Sequence, residues 1–249
     1  MQRFKGQVAI VTGGARGIGE GIGLRLAEEA CKVYLIDKLE LVFETMEQMQ
    51  KRGLDVQAFQ MDITDEQKVK SVIDQIIRDE NHLDVLVNCA GIAGPTSTKI
   101  TDYDLEDFER VLSINLTGSF IMTKYVIPPM LKQKYGRILH IASMGGKEGN
   151  PGMVGYAASK SGLMGLVKGV GKEYAGSGIT VNGLAPAVIE TPMNLDTDPE
   201  MMKYMVAKIP MGRLGTVEEV AAISCWIASK EASFNTGFIF DISGGRATY

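Results

Sequence analysis

The chain has 249 residues, of which 45% are hydrophobic and 22% charged, and its formal net charge is −4. This is enough apolar material to bury the core of one α/β domain, and the acidic balance argues against nucleic acid and anionic membrane surfaces as partners. No stretch approaches the roughly 20 apolar residues of a membrane span. The three cysteines are far apart and form no C-x-x-C pair, so we predict no disulfide and no metal site, and we expect a cytoplasmic protein.

The amino-terminal segment predicts a nucleotide-binding turn. The apolar run Val8 to Val11 is typical of a buried strand, and it leads into T-G-G-A-R-G-I-G and then a helix. In such a turn, backbone N–H groups and the positive end of the helix can bind a pyrophosphate, and the alternative is merely a tight turn. The spacing is not the common G-x-G-x-x-G. Gly21 and Gly23 suggest close packing of the helix. The residues assigned to the cofactor here are Gly13, Arg16, Gly17, Ile18 and Gly19.

The second predicted strand, Val33 to Asp37, ends in a carboxylate about twenty residues beyond the glycines, where an acidic residue binds the ribose hydroxyls of NAD. A carboxylate there repels the 2′-phosphate of NADP, whereas Arg16 or Lys38 could attract it. We therefore predict that the cofactor is NAD rather than NADP. An ordinary solvated acid is the alternative role for Asp37.

Apolar segments alternate with helix-length stretches along the rest of the chain. Because most of the segments are continuous apolar runs, they favour a parallel sheet covered on both faces. Residues 1–249 are therefore predicted to form a single Rossmann-type, doubly wound α/β domain with a seven-stranded parallel sheet flanked by helices. The strands are expected near residues 7–12, 33–37, 56–61, 83–88, 136–142, 179–184 and 237–241.

Tyr156 and Lys160 are four residues apart and so lie on one face of a predicted helix. An adjacent ammonium favours the phenolate and lowers the pKa of a tyrosine, which makes the pair a proton donor and acceptor. An exposed tyrosine over a solvated lysine is the alternative. Ser143 follows a predicted strand at the sheet edge where open α/β folds bind ligands, and its hydroxyl could donate to a substrate carbonyl.

Together these motifs resemble the short-chain dehydrogenase/reductase family over nearly the whole chain. The resemblance is carried by Thr12 to Gly19, Asn88 to Gly91, Asn115, Ser143, Tyr156 and Lys160. It implies an oxidoreductase whose catalytic residues are Asn115, Ser143, Tyr156 and Lys160.

The resemblance also assigns roles to these side chains. Tyr156 would exchange a proton with the substrate oxygen, Lys160 would also bind the nicotinamide ribose, and Asn115 would hold a water linking Lys160 to solvent. Asp62 would lie beside the adenine, and a helix N-cap is its alternative or additional role. The remaining implied cofactor residues are Ile63, Asn88, Ala90, Gly91, Pro186, Ile189 and Thr191.

The chain departs from the family after the sixth predicted strand. The family commonly has Pro-Gly there, whereas this chain has Pro186-Ala187. Alanine resists φ > 0, so the conformation of this turn is open. The same departure resembles family branches that act on sugars and sugar acids.

Two regions bear on the substrate. Lys147, Glu148 and Asn150 follow Ser143, and with Ser143 and Tyr156 they predict a polar pocket for a hydroxylated or carboxylated molecule, an exposed polar loop being the alternative. The second region, 190–213, is a predicted lid.

The lid segment contains Met201, Met202 and Met205, which could line an apolar cavity or serve lid packing and subunit contacts. Arg213 and Arg246 could reach a carboxylate or make structural contacts.

The leading hypothesis is an NAD-dependent oxidoreductase acting on a secondary alcohol or ketone of a sugar, polyol or sugar acid, such as a 2-keto-3-deoxy sugar acid. The alternative is a 3-oxoacyl-acyl-carrier-protein reductase, and a binding protein without turnover is a third. By resemblance, a homotetramer is expected. A small molecule is the expected substrate.

Overall fold

The computed structural model describes residues 2–192 and 199–247. Seven parallel strands form one sheet in the order β3-β2-β1-β4-β5-β6-β7, which confirms the predicted doubly wound parallel sheet. The strands are β1 Val8–Thr12, β2 Lys32–Asp37, β3 Val56–Gln60, β4 Val85–Asn88, β5 Gly136–Ile141, β6 Ile179–Pro186 and β7 Ile239–Ile242.

Helices connect and cover the strands. Those formed by the described residues are α1 Gly17–Glu28, α2 Leu41–Lys51, α3 Glu66–Glu80, α4 Leu105–Leu112, α5 Ser119–Gln133, α6 Met144–Glu148, α7 Val154–Glu173, α8 Pro199–Ala207 and α9 Val217–Ile227. A π-helical turn, Ser113–Gly118, joins α4 to α5. Within the described residues, no helix is both long enough and apolar enough to span a bilayer.

Most strands are continuous apolar runs because both faces of the sheet are covered, whereas the edge strand β3 reads Val-Gln-Ala-Phe-Gln and is only partly buried. In β1, Ala9 and Val11 face one core with α1 and α9, whereas Val8 and Ile10 face the other with α3 and α5. Successive side chains of a strand point to opposite faces, so a strand between two helical layers has no polar side. The strand order reverses between β1 and β4, and this places a ligand crevice at the carboxyl ends of those two strands.

Gly21 and Gly23, inside α1, permit close packing, as the sequence suggested. A Cβ at Gly21 would lie 2.1 Å from Cγ1 of Val217 on α9, and one at Gly23 would lie 2.6 Å from Cδ2 of Leu35 on β2. Alanine at either position would overlap its neighbour. These contacts hold α1 against the sheet directly beneath the glycine-rich turn.

Candidate active site

A cavity of about 750 Å³ opens at the carboxyl edge of the sheet. It is lined by residues that follow six neighbouring strands, β1 to β6, from the glycine-rich turn after β1 to the segment after β6. Most of the predicted site residues line it, namely Gly13, Arg16, Gly17, Ile18, Gly19, Asp37, Asp62, Ile63, Ala90, Gly91, Ser143, Asn150, Tyr156, Lys160, Pro186, Ile189 and Thr191.

The glycine-rich turn leaves room for a ligand because side chains are excluded from it. Gly13 and Gly17 have φ of +69° and +65°, a region in which other residues are strained. A Cβ at Gly13 would lie 2.8 Å from the backbone nitrogen of Ala90, and one at Gly19 would lie 2.1 Å from the carbonyl oxygen of Gly13. The turn therefore fits the pyrophosphate of a dinucleotide, which its N–H groups would bind at the start of α1.

Thr12 ties this turn to the end of β4. Its hydroxyl oxygen accepts hydrogen bonds from the backbone nitrogens of Cys89 (3.1 Å) and Ala90 (3.2 Å). The sequence pointed to Thr12 only as the first residue of the glycine motif. The two strand ends on either side of the crevice are thus joined by one side chain.

Asp37 combines a place at the cavity with two backbone contacts. Its carboxylate accepts hydrogen bonds from the nitrogens of Ala15 (3.1 Å) and Leu39 (3.0 Å), so it braces the glycine-rich turn from the tip of β2. Of the two cations that could favour a 2′-phosphate, Lys38 forms an ion pair with Asp62 at 2.9 Å, and Arg16 lines the cavity. The electrostatics at the ribose position therefore favour a free hydroxyl over a phosphate.

Asp62 does not cap a helix. The N-cap of α3 is Asp65, whose side chain accepts from the nitrogen of Lys68, whereas Asp62 accepts from the nitrogen and hydroxyl of Thr64. Burial opposes ionisation of Asp62, but the contacts with Lys38 and Thr64 outweigh it and lower the pKa of this carboxyl. The capping alternative was wrong, since Asp62 lies three residues too early, although it does line the cavity.

Ser143 and Tyr156 meet at the centre of the cavity. Ser143 caps the short helix α6, and its hydroxyl oxygen accepts from the nitrogen of Gly145 at 3.0 Å. Burial raises the pKa of Tyr156, and a hydrogen bond between the Ser143 and Tyr156 hydroxyls opposes that rise. The sequence predicted a pKa lowered by Lys160, whereas burial raises the pKa of Tyr156, so the ring keeps its proton and can act as a proton donor.

Lys160 lies one turn further along α7, with its Nζ 5.8 Å from the centre of the Tyr156 ring. Its side chain is buried, and Nζ donates a 2.7 Å hydrogen bond to the carbonyl oxygen of Ile141 at the end of β5. Burial lowers the pKa of Lys160 to about 8, with the nearby Cys89 acting in the opposite direction. This amine is held in place by the strand and not by solvent.

Asn115 lies within the π-helical turn and is fully buried. Its Oδ1 accepts from the nitrogen of Ile92 (2.8 Å), and its Nδ2 donates to the carbonyl oxygen of Ile92 (2.9 Å) and to the hydroxyl of Ser159 (2.9 Å). Ser159 in turn donates to the carbonyl oxygen of Tyr156. Asn115 thus fixes both the loop after β4 and the first turn of α7, and its predicted role in holding a water stays a prediction.

Asn88 does not line the cavity, contrary to its assignment as a cofactor residue. Its amide lies behind the site, where Nδ2 contacts the hydroxyl of Thr123 at 3.5 Å and Nδ1 of His140 at 3.3 Å. Burial lowers the pKa of His140 to about 3, so this buried network is neutral. Among the described residues, no group of three or more His, Cys, Asp or Glu side chains is placed to hold a metal.

Lys147 and Glu148 were predicted to face the substrate, and neither lines the cavity. Nζ of Lys147 forms a 2.8 Å ion pair with Asp241 on β7, and Glu148 pairs with Arg246 at 2.8 Å. Charged side chains that follow a catalytic strand can find partners on neighbouring elements, which residue type alone does not reveal. Asn150, the third predicted residue, does line the cavity.

The methionines of α8 are divided between two environments. Met201 and Met205 line the cavity, whereas Met202 does not, as expected for positions on different faces of one helix. Residues 193–198 of the predicted 190–213 lid lie outside the described residues, and the lid stays a prediction. Further lining residues that the sequence did not indicate are Ile92, Thr96, Ile114 and Met153.

The backbone conformation after β6 shows how the chain accommodates Ala187 where the family commonly has glycine. Ala187 is not among the described non-glycine residues with positive φ, and its nitrogen donates to the carbonyl oxygen of Ile242 at 2.9 Å. The segment continues alongside Gly215, whose nitrogen donates to the carbonyl oxygen of Val188 and whose carbonyl oxygen accepts from Glu190. The turn after β6 therefore does not need glycine here.

Comparisons with known proteins agree with this site. A family model described as enoyl-(acyl carrier protein) reductase matches residues 13–247. The chain belongs to the short-chain dehydrogenase/reductase family. Members of this family transfer hydride between a nicotinamide cofactor and a substrate, so the cavity is that of an oxidoreductase acting on CH–OH groups.

Proteins similar to this chain act on different substrates. It is 42% identical over 248 residues to a 2-dehydro-3-deoxy-L-rhamnonate dehydrogenase (NAD(+)) of Sphingomonas sp. (strain SKA58), covering 99% of this chain and 98% of the relative. It is 37% identical over 247 residues to a 3-oxoacyl-acyl-carrier-protein reductase of Thermotoga maritima, covering 98% of each. The family alone therefore does not fix the substrate.

Solved structures of the family have the same fold. The crystal structure of gox2181 superposes with a TM-score of 0.95 at 34% identity, covering 98% of this chain and 97% of that one. The structure of an NAD+-bound xylitol dehydrogenase superposes with a TM-score of 0.92 at 32% identity, covering 98% and 100%.

Proposed function

We propose that this member of the family is an NAD-dependent dehydrogenase that interconverts a secondary alcohol and a ketone on a sugar acid, with a 2-dehydro-3-deoxy sugar acid as the substrate class. The observation that carries the proposal is the meeting of Ser143, Tyr156 and Lys160 in a cavity whose nucleotide end has the features of an NAD site. The Sphingomonas dehydrogenase, at 42% identity, supports the substrate class.

The residues present fit a nicotinamide dinucleotide, which supplies the hydride acceptor for oxidation. The glycine-rich turn would bind the pyrophosphate and Asp37 the adenosine ribose, while Lys160 would bind the nicotinamide ribose. Lys38 is held by Asp62 and is not directed to a 2′-phosphate, which supports NAD over NADP.

Tyr156 and Ser143 carry the proton chemistry. The Ser143 hydroxyl oxygen already accepts from Gly145, so its proton is available to orient the substrate oxygen. In oxidation Tyr156, as phenolate, takes the proton of the alcohol, and in reduction the phenol returns it. Lys160 supports the phenolate electrostatically when this negative charge develops.

The interior of the cavity suits a molecule with both charged and apolar parts. Arg246 and Asn150 supply polar groups, while Met153, Met201 and Met205 supply apolar ones. A deoxy sugar acid combines a carboxylate and hydroxyls with a methylene group and, in a rhamnonate derivative, a methyl group.

The second candidate is reduction of a 3-oxoacyl-acyl-carrier-protein, which the same reacting residues could perform. The 37% identity to the Thermotoga reductase favours it. An acidic carrier requires a basic surface, whereas this chain has a net charge of −4. The first function accounts for both the charge and the nucleotide end of the cavity.

The first prediction tests the function directly. We expect oxidation of 2-dehydro-3-deoxy sugar acids with NAD, with kcat/KM for NAD at least about tenfold above that for NADP because Asp37 repels the 2′-phosphate. Initial rates of NADH formation across sugar acids, polyols and a 3-oxoacyl thioester make the measurement. Preference for the thioester with NADPH would contradict the proposal.

We further propose that the protein acts as a homotetramer in the cytoplasm. Two separate surfaces expose large apolar side chains, Leu105 and Phe120 on the α4–α5 side and Phe234 and Phe238 next to β7. Two different self-complementary surfaces on one chain generate a closed tetramer. The three cysteines are free thiols, as is usual in a reducing compartment.

A further inference from the structure

We propose that Arg246 is a specificity-determining residue that binds the substrate carboxylate, with Asn150 extending its polar surface toward the reacting hydroxyls. This inference rests on the proposed function, since it names how that site would select an acid over a neutral alcohol. Arg246 lies 90 residues beyond Tyr156 in the chain, and the sequence left open whether it reaches a carboxylate or makes structural contacts.

The contacts of Arg246 leave one edge of its guanidinium available. Its side chain is only 3% exposed, yet it lines the cavity. Nε and Nη2 both donate to the same oxygen, Oε2, of Glu148 (3.0 and 2.8 Å), and Nη2 also contacts Oδ1 of Asn150 at 3.3 Å. Within residues 2–192 and 199–247, Nη1 donates to no partner. On the opposite edge Nη2 is shared with Asn150, so Nη1 is the donor left to bind an anion in the cavity.

Asn150 connects this cation to the reacting groups. The Cβ that Gly145 lacks would lie 3.1 Å from Nδ2 of Asn150, 3.4 Å from Oγ of Ser143 and 3.4 Å from Cε1 of Tyr156. These three groups therefore surround one small space, which the absence of a side chain at Gly145 keeps open. One end of the Asn150 amide faces that space and the other contacts Arg246, so a carboxylate on Arg246 would lie one amide away from the carbon that reacts.

Glu148 serves to position the guanidinium. It lies on the solvent side of Arg246 and does not line the cavity, with 23% of its side chain exposed against 3% for Arg246. By taking Nε and Nη2 it fixes the plane of the guanidinium, and it stabilises the charge of a side chain that would otherwise be buried alone. The substrate would add a second carboxylate to the opposite edge.

The second prediction compares an acid with its neutral analogue. Arg246→Met removes the charge at similar length, and we expect KM for a 2-dehydro-3-deoxy sugar acid to rise about 10- to 100-fold, as for loss of a charge-assisted pair. KM for the corresponding amide should change by less than about threefold. Arg246→Lys should recover part of the loss, and Arg52→Met, which removes an exposed arginine paired with Glu28, is the matched control.

The Glu148→Gln variant distinguishes carboxylate binding by Arg246 from a purely structural role of the Arg246–Glu148 pair. If Arg246 only anchors Glu148, then Glu148→Gln and Arg246→Met should impair the acid and the amide to the same extent, and that result would overturn the inference. If Arg246 binds the carboxylate, Glu148→Gln keeps the preference of the wild type for the acid, whereas Arg246→Met abolishes it.

A binding measurement keeps this test independent of the reaction. Sugar acids and their amides are titrated into the complex of enzyme and NADH, and binding is followed by nicotinamide fluorescence. If the wild type oxidises no sugar acid, the proposed function fails, but preferential binding of gluconate over gluconamide that is lost in Arg246→Met would still support the anion site. Equal binding of the two by the wild type would refute it.

Discussion

Lys160 has a charge that the fold disfavours and that the proposed reaction would use. Its side chain is 5% exposed, and its hydrogen bond to Ile141 does not offset burial, which lowers its pKa from 10.5 to about 8. The group therefore destabilises the folded chain at neutral pH while it prepares the site for the phenolate of Tyr156. Such a conflict between stability and activity is typical of functional residues.

The third prediction follows from this pKa. The unfolded chain binds more protons than the folded one between about pH 8 and 10.5, so the stability contributed by this residue rises with pH across that window. Below about pH 8 the charged amine destabilises the fold by roughly 3 kcal/mol. Replacing Lys160 removes this cost but also removes the hydrogen bond to Ile141, which contributes about 1 kcal/mol. We expect Lys160→Met to be about 2 kcal/mol more stable than the wild type at pH 7, and nearly inactive.

Urea unfolding of both proteins at pH 7 and pH 10.5 makes the measurement. The difference between them should shrink or reverse at the higher pH, because the wild-type amine is then neutral in the folded state and about half neutral in the unfolded one. Lys70→Met, at an exposed ion pair with Asp74, is the control and should leave the stability essentially unchanged at both pH values. A less stable Lys160→Met at pH 7 would contradict the argument.

The residue types at the reacting end could be predicted from sequence, whereas their environments could not. Tyr156 and Lys160 follow from helical spacing, and Ser143 from the end of a strand. The direction of the Tyr156 pKa depends on how deeply the ring is buried, which spacing does not encode. Lys147 and Arg246 show the same limit, because their partners lie 94 and 98 residues away in the chain.

At the scale of elements, α1 is positioned by contacts that only glycine permits. Its start supplies the N–H groups of the pyrophosphate turn, and its interior lies against α9 and β2 through Gly21 and Gly23. The two glycines together weaken the helix by up to about 2 kcal/mol relative to alanine. In return, the two glycines let α1 approach α9 and β2 closely.

The fourth prediction uses the contact between Gly21 and Val217. Gly21→Ala places a Cβ 2.1 Å from Cγ1 of Val217, so we expect a loss of about 1–3 kcal/mol from overpacking. Val217→Ala removes that methyl group. The double variant should therefore be at least 1 kcal/mol more stable than the sum of the single changes implies, as measured by thermal or urea unfolding. Additive effects would show that the two residues do not meet.

The strands and helices were easier to predict than the residues at which they end and the turns that connect them. The seven strands lie near their predicted ranges, and most were indicated by continuous apolar runs because burial on both faces leaves a strong signal. The π-helical turn at Ser113–Gly118 has no such signal, since its extra residue per turn is set by the packing of Asn115 against Ile92 and Ser159. The sequence offered Asp62 as the N-cap of α3, three residues before the actual cap at Asp65, because aspartate is a favoured capping residue at either position.

At the scale of the whole molecule, the fifth prediction concerns the tetramer. Phe120 is 48% exposed and Phe234 fully exposed, on the two surfaces proposed as interfaces. We expect Phe120→Lys and Phe234→Lys each to convert the tetramer to a dimer, because each places a charge in one of the two apolar interfaces. Light scattering after size-exclusion chromatography measures the mass.

Phe43→Lys is the control for this experiment, because Phe43 lies on α2, away from both surfaces, and is 37% exposed. It should leave the tetramer intact. A wild-type monomer at micromolar concentration would refute the assembly, and a tetramer that survives both substitutions would refute the choice of surfaces.

The ion pair between Lys38 and Asp62 has a consequence for how cofactor preference could change during evolution. Replacing Asp37 alone would remove the repulsion of a 2′-phosphate, but it would leave Lys38 bound to Asp62 and would release the turn that Asp37 braces through Ala15 and Leu39. Replacing Asp62 alone would free the lysine while the repelling carboxylate stayed in place. Neither single step both removes the repulsion and frees the lysine, so the two positions are epistatic in their effect on NADP binding, and a lineage with this arrangement would tend to retain NAD while its substrate loops diverge.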